Sequence, residues 1–294
     1  MKVLIGCDVD PVIPTDPARR FDGDIWSPLE AIPRLGAALG DALPPITWLI
    51  RADDSIRALT GDFATGYLSR EPLWTGLRRA GHELGWHMHV LRWQPGQGLT
   101  LDPEPSWLAE AHASLARHFP VRATRTGWDY GSDFLLGELA RLGVRLDFSA
   151  LPGNRVWVDY GGERLLVDWI GTPERAYRPA RGDYRRPGPE PLPLVELPVT
   201  QFRNPLLGRI KRCAWRLRNR CFTLAGLGNK TRLLTERWDR LPPRRAGAWV
   251  FYFHPEDLAG DGLGRAGENL ARLRALPGVE FVTASALAAS LPVE

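Results

Sequence analysis

Gly81-His82-Glu83-Leu84-Gly85-Trp86-His87-Met88-His89 is the stretch whose reading decides the fold. It follows a helical pattern, Leu73–Ala80, which Gly81 ends, and from Glu83 to Val90 it reads as a strand. Alternate residues of a strand share a face, so His87 and His89 project together at its end. Two imidazoles so placed suit a single zinc-like ion, whereas a lone histidine is more often a satisfied structural residue. His82, on the other face, is expected to be a structural hydrogen-bonding residue.

Outward from this stretch, strand and helix patterns alternate. Val3–Cys7, Ile46–Ile50, Val121–Thr126, Val144–Phe148, Val195–Val199, Trp249–Phe253 and Val279–Thr283 read as strands. Trp107–His118, Asp133–Leu142 and Gly267–Ala275 read as helices, and Val156–Val158 with Leu165–Trp169 as a hairpin around Gly161-Gly162. Residues 172–193, rich in Pro, Arg and Gly, read as an irregular insertion, and Leu206–Cys221 as a basic amphipathic helix. Repeated βα units over 294 residues favour one α/β barrel domain spanning 1–294, with an open doubly wound sheet as the alternative.

Polar residues collect at the C-terminal ends of these strands, where barrel enzymes place their chemistry. Asp8-Val9-Asp10 sets two carboxylates on one side of a strand end, and such a pair repels unless a cation or proton separates it. The alternative reading is that one of them caps the next loop. Arg125 ends another strand, suited to a bidentate contact with a carboxylate or to a surface salt bridge. His254, before Pro255, ends the aromatic strand, and either caps it or serves as a general acid. Arg51, Asp53 and Asp54 end the second strand, where they either contact a polar substrate or form a rim salt bridge.

Taken together, these motifs resemble the polysaccharide deacetylase family (NodB homology, carbohydrate esterase family 4-like), from Val3 to about Leu287. Asp8-Val9-Asp10 is similar to its first motif, which implies Asp8 as base and Asp10 as metal ligand. Gly81–His87 is similar to the element whose last histidine binds metal. Arg125-Thr126-Gly127-Trp128 resembles the third motif: Arg125 would orient the base and the Trp128 N–H would help form an oxyanion hole. Asp168-Trp169 resembles the fourth, an acid supporting the catalytic histidine, and Phe253-His254-Pro255 the last, with His254 as general acid. The resemblance implies a distorted (β/α) barrel of about seven strands, a divalent metal cofactor with zinc as first choice, and removal of an N-acetyl or related acyl group from a sugar. The family's second metal histidine follows the first by four residues. Position 91 is leucine here, and His89 stands as the nearest substitute. Two further readings follow: a glycan binder without turnover, and a metal-dependent amidase on a non-sugar substrate.

Composition narrows the classes. Apolar residues are 44% and charged residues 24%, ordinary for a globular chain, and no run approaches the roughly 18 apolar residues of a membrane span. The amino terminus lacks the pattern of a secretory signal, and three cysteines (Cys7, Cys213, Cys221) cannot make a disulfide framework, so a cytoplasmic location is the default expectation. The net charge of +4 is uneven: residues 197–235 contain no acid and nine basic side chains. That points to one basic surface rather than to nucleic-acid binding. Peripheral contact with an anionic membrane face through 203–220 is the functional expectation, a solvated helix the alternative. Trp86, Trp93, Trp128 and Trp169 suit sugar stacking or the core.

Overall fold

A computed structural model describes residues 1–13, 24–94, 96–203, 219–221 and 248–290. Eight strands form the main sheet: β1 (Lys2–Val9), β2 (Thr47–Arg51), β3 (Glu83–Met88), β4 (Ala123–Thr126), β5 (Leu146–Asp147), β6 (Val195–Glu196), β7 (Ala248–Phe253) and β8 (Glu280–Val282). Every pairing in this sheet is parallel, and its order is β6-β5-β4-β3-β2-β1-β7. β8 pairs with the first residues of β1, below the point where β2 joins it. The sheet curls into a distorted barrel. The chain leaving β6 reaches β7 through Thr200, whose N–H donates to the Val250 carbonyl (3.0 Å) and whose hydroxyl accepts from the Val250 N–H (2.8 Å).

Parallel strands covered on both faces need apolar residues throughout, and β1, β2 and β7 are buried along almost their whole length. Helices Ala31–Leu39, Asp54–Thr60, Glu71–Arg79, Leu108–Ala116, Asp133–Arg141, Gly262–Ala275 and Ala284–Ser290 complete the α/β layers. Trp26, Trp48, Trp74, Trp86 and Trp169 are fully buried among them. Trp86 and Trp169 are therefore core residues rather than sugar platforms. His82 is structural: its Nδ1 accepts from the Ile46 N–H at 3.0 Å.

Some expectations needed revision. Helix Asp54–Thr60 is too short to show a periodic stripe, but it carries a local start signal, an Asp53 cap accepting from Ser55 and Ile56 N–H, and a stop signal, a left-handed Gly61. Residues Leu91–Gln94 and Gly98–Leu101 form an antiparallel hairpin beyond β3. The 172–193 insertion holds a two-stranded ribbon, Pro179–Ala180 with Asp183–Pro187. The basic segment 206–221 lies outside the described residues except for Asn219–Cys221, which form a strand against Gln201–Arg203 instead of ending a helix. This pairing is antiparallel and joins segments some eighteen residues apart, which local sequence periodicity does not show, so only the structure reveals that partner. No helix among the described residues is long and apolar enough to cross a membrane.

Candidate metal centre

Register explains the site. Arg51 on β2 stands beside His87 on β3, and His87 beside Arg125 on β4, so three strands place one row of cationic or imidazole residues at the C-terminal rim. Asp8 and Asp10 come to this row from the end of β1. His89 follows β3 directly, and His254 leaves β7 as the cap of a short turn begun by Pro255.

Each carboxylate has its own guanidinium. Arg125 donates to Asp8 and to Asp129, and its planar head lies 3.8 Å over the Tyr252 ring. Arg51 donates to Asp10 Oδ1 at 3.0 Å. Burial works against an ionised Asp10, but His87, Arg51, His89 and His254 outweigh it and hold the carboxyl far below the usual range. The repulsion between the two acids is thus relieved without any further cation. The case for a metal rests on nitrogen instead.

Asp10, His87 and His89 each offer a ligand atom, all within 4.8 Å of one another. His87 Nδ1 lies 2.7 Å from the Arg125 carbonyl oxygen, which can only accept, so Nδ1 is the donor and Nε2 is the nitrogen left to face the site. That buried Nε2 has no hydrogen-bond partner and faces Asp10 Oδ1 at 3.5 Å. Burial and Arg51 push His89 well below its ordinary 6.5, so this ring is neutral. Its Nε2 is 3.7 Å from the same Asp10 oxygen, and its Nδ1 is also buried without a partner. Two imidazoles and one carboxylate converging in this way suit a divalent cation, and the donor set fits zinc.

His254 Nε2 is 3.6 Å from Asp8 Oδ2 and 3.7 Å from Asp10 Oδ2. Burial alone would lower its pKa; Asp257, Asp8 and Asp10 outweigh that and push it up to about 9, leaving the ring protonated at neutral pH. The acid beside His254 is Asp257, whose Oδ2 accepts from the His254 backbone N–H (2.8 Å) and lies 3.4 Å from Nδ1. Asp168 does not fill this place. Its carboxylate meets Arg185 at 3.2 Å and Arg155 at 3.8 Å, on the ribbon and hairpin. Sequence adjacency to Trp169 drew attention to Asp168. The usable signal for Asp257 was its place three residues after His254, where a side chain reaches back to cap a turn.

Trp128 and Asp129 have φ of 57° and 59°, left-handed backbone that costs a non-glycine residue energy and marks functional loops. The turn is tied down by a Trp169 Nε1–H bond to the Asp129 carbonyl (2.7 Å). The Trp128 ring meets His89 edge-on at 4.6 Å and Tyr160 at 5.4 Å. Gly127 is needed by close approach, since a Cβ there would land within the His89 ring.

The chain matches no protein-family model and no curated protein sequence. Solved structures do match. A crystal structure from Mycobacterium smegmatis, provisionally designated a polysaccharide deacetylase, covers 98% of this chain and 88% of its own at 18% identity, with a TM-score of 0.57. A second, from Parabacteroides distasonis and provisionally designated a glycoside hydrolase/deacetylase, covers 96% and 68% at 11% identity, with a TM-score of 0.54. The chain has the polysaccharide-deacetylase fold. At this identity the NodB-like likeness speaks for architecture, and the chemistry must be argued from the rim.

Proposed function

We propose that the chain, acting as one domain, is a cytoplasmic metal-dependent hydrolase that removes an N-acetyl or related acyl group from a sugar or glycan intermediate. The observation that carries this reading is the convergence of Asp10, His87 and His89, with a buried, unpartnered imidazole nitrogen aimed at a carboxylate oxygen. The deacetylase-like architecture of its structural neighbours supports it.

A divalent ion, zinc by this donor set, would polarise the acyl carbonyl and acidify a water there. Asp8 takes the proton of the attacking water, aimed by Arg125, which Asp129 and Tyr252 fix in turn. The strained turn at Trp128 presents its backbone N–H to the developing oxyanion. His254, protonated and within 4 Å of Asp8, gives its proton to the departing amine. Trp128 and Tyr160, partly exposed beside His89, offer apolar ring surface to a sugar.

Zinc binding and hydrolysis of an N-acetylated amino sugar test the reading together. His87→Ala is expected to abolish both tight zinc binding and amide hydrolysis; full activity in that variant would sink the assignment. Peripheral contact with an anionic membrane through 203–220 belongs to the same proposal. Sedimentation with anionic vesicles should then be salt-sensitive, and salt-independent or absent binding removes that part.

A further inference from the structure

Arg51 and Asp53 have no part in the chemistry above, yet they are among the most buried charges of the rim. Each nitrogen of the Arg51 head has a partner: one terminal nitrogen meets Asp10 Oδ1 at 3.0 Å, Nε meets Asp53 Oδ2 at 2.8 Å, and the other terminal nitrogen meets Ser55 Oγ at 3.2 Å. Asp53 Oδ2 accepts a second bond, from the backbone N–H of His89 at 3.0 Å. Its other oxygen accepts from Ser55 and Ile56 N–H and anchors the carboxylate to the first turn of the next helix.

The spacing of the two histidines makes this arrangement necessary. Residues two apart on an extended strand lie about 6.6 Å from each other along its axis. His87 and His89 bring their ring centroids to 5.1 Å, at 84°, with His89 already past the end of the strand. β3 ends at Met88, the His89 N–H goes to Asp53, and the Leu91 N–H returns to the His89 carbonyl (2.8 Å) in a tight turn. Leu91, four residues after His87, is buried in the hairpin beyond and supplies no ligand.

We propose that Arg51 and Asp53 form a positioning clamp for the metal centre, setting Asp10 Oδ1 and the His89 backbone so that histidines two residues apart close one ligand set. The clamp rests on the metal-site reading of the previous section. Arg51 aims the oxygen of Asp10 that faces both imidazoles. Asp53 replaces the ladder bond that His89 gives up and, through Arg51, couples the His89 backbone to Asp10. Hydrogen bonds that orient ligands from behind are worth about 10–100-fold in metal affinity.

The test measures zinc affinity of the full chain by competition with a chromophoric chelator. Variants are Asp53→Asn, Arg51→Gln and His89→Ala, with Asp53→Asn also placed in the His89→Ala background, and folding is followed by circular dichroism. Asp53→Asn and Arg51→Gln should each weaken zinc binding roughly 10–100-fold. In the His89→Ala background, Asp53→Asn should cost little more, because the ligand it positions is gone. Folded single variants that bind zinc within about twofold of the wild type would overturn the clamp, as would a full additional loss in the double variant. If Asp53→Asn does not fold, Arg51→Lys, which keeps the charge but not the fork, takes its place and must still lose affinity. A wild type that takes up no zinc at micromolar concentration sinks the metal reading itself, and that result is separate from equal affinity across the series.

Discussion

Two rows of polar residues cross the same sheet, and they handle buried acid in opposite ways. On β2, β3 and β4 the row is Arg51, His87 and Arg125, with Asp8 and Asp10 delivered to it. On β4, β5 and β6 the row is Thr124, Asp147 and Glu196, paired in register one residue earlier along β4. Thr124 and Arg125 are neighbours on one strand, so the rows lie on opposite faces. In the second row Thr124 donates to Asp147 (2.7 Å), Ser149 N–H to the same carboxylate (3.1 Å) and Ala150 N–H to Glu196 (2.9 Å), with no guanidinium among these partners. Burial and the neighbouring Asp147 push Glu196 well above its usual range, whereas Asp10, half-buried beside Arg51, is held far below it. Burial is common to both rows. The charge partner decides which acid stays ionised, and so which row can serve a cation.

The largest effect is expected from removing a guanidinium from the first row. Arg125→Met would remove the buried guanidinium that Asp8 and Asp129 share. We expect a stability loss of about 3–5 kcal/mol, read by urea unfolding, together with loss of amide hydrolysis. A variant as stable as the wild type would show that Arg125 is not what makes the first row different.

Gly127→Ala comes next and touches only the first row. The added methyl collides with the His89 ring. Overpacking of this kind costs about 1–3 kcal/mol, and because His89 must yield, zinc affinity should fall while the second row is untouched. Chelator competition beside thermal melting separates the two readouts, and unchanged zinc affinity would mean that His89 is not held against this loop.

The smallest effect concerns the second row alone. The folded pKa of Glu196 is raised, so the native state keeps a proton that the unfolded chain releases above about its ordinary 4.5. Stability contributed by this acid is therefore full below that value and declines as pH rises toward the folded pKa. The slope reaches at most about 1.4 kcal/mol per pH unit for one proton. Glu196→Gln should flatten the decline and leave zinc binding as in the wild type. A wild-type pH slope in the glutamine variant would assign the titration elsewhere.

Much of the site is legible in the sequence because its spacing is local. Asp8 and Asp10, and His87 and His89, are pairs two residues apart, and each is followed by a strand end that no apolar run continues. The same logic finds β1, β2, β3 and β7. It misleads at Asp168, where a nearby tryptophan stood in for spatial evidence, and it leaves Arg51 and Asp53 open between substrate contact and rim salt bridge. Helix Asp54–Thr60 and the 91–101 hairpin are missed because each is shorter than the window in which a period shows.

By itself, then, the sequence determined the βα alternation, the strand ends and four of the residues at the rim, since a strand's period of two and a helix's stop signals act over neighbouring residues. Tertiary structure alone decided the other charge partners: Arg51 for Asp10 across 41 residues, and Asp257 rather than Asp168 for His254, while the Arg125–Asp8 pair across 117 residues is the one the family resemblance already implies. The physical reason is register. Parallel strands choose their partners by packing on both faces of the sheet, and a side chain's charge partner is whichever residue that packing sets beside it.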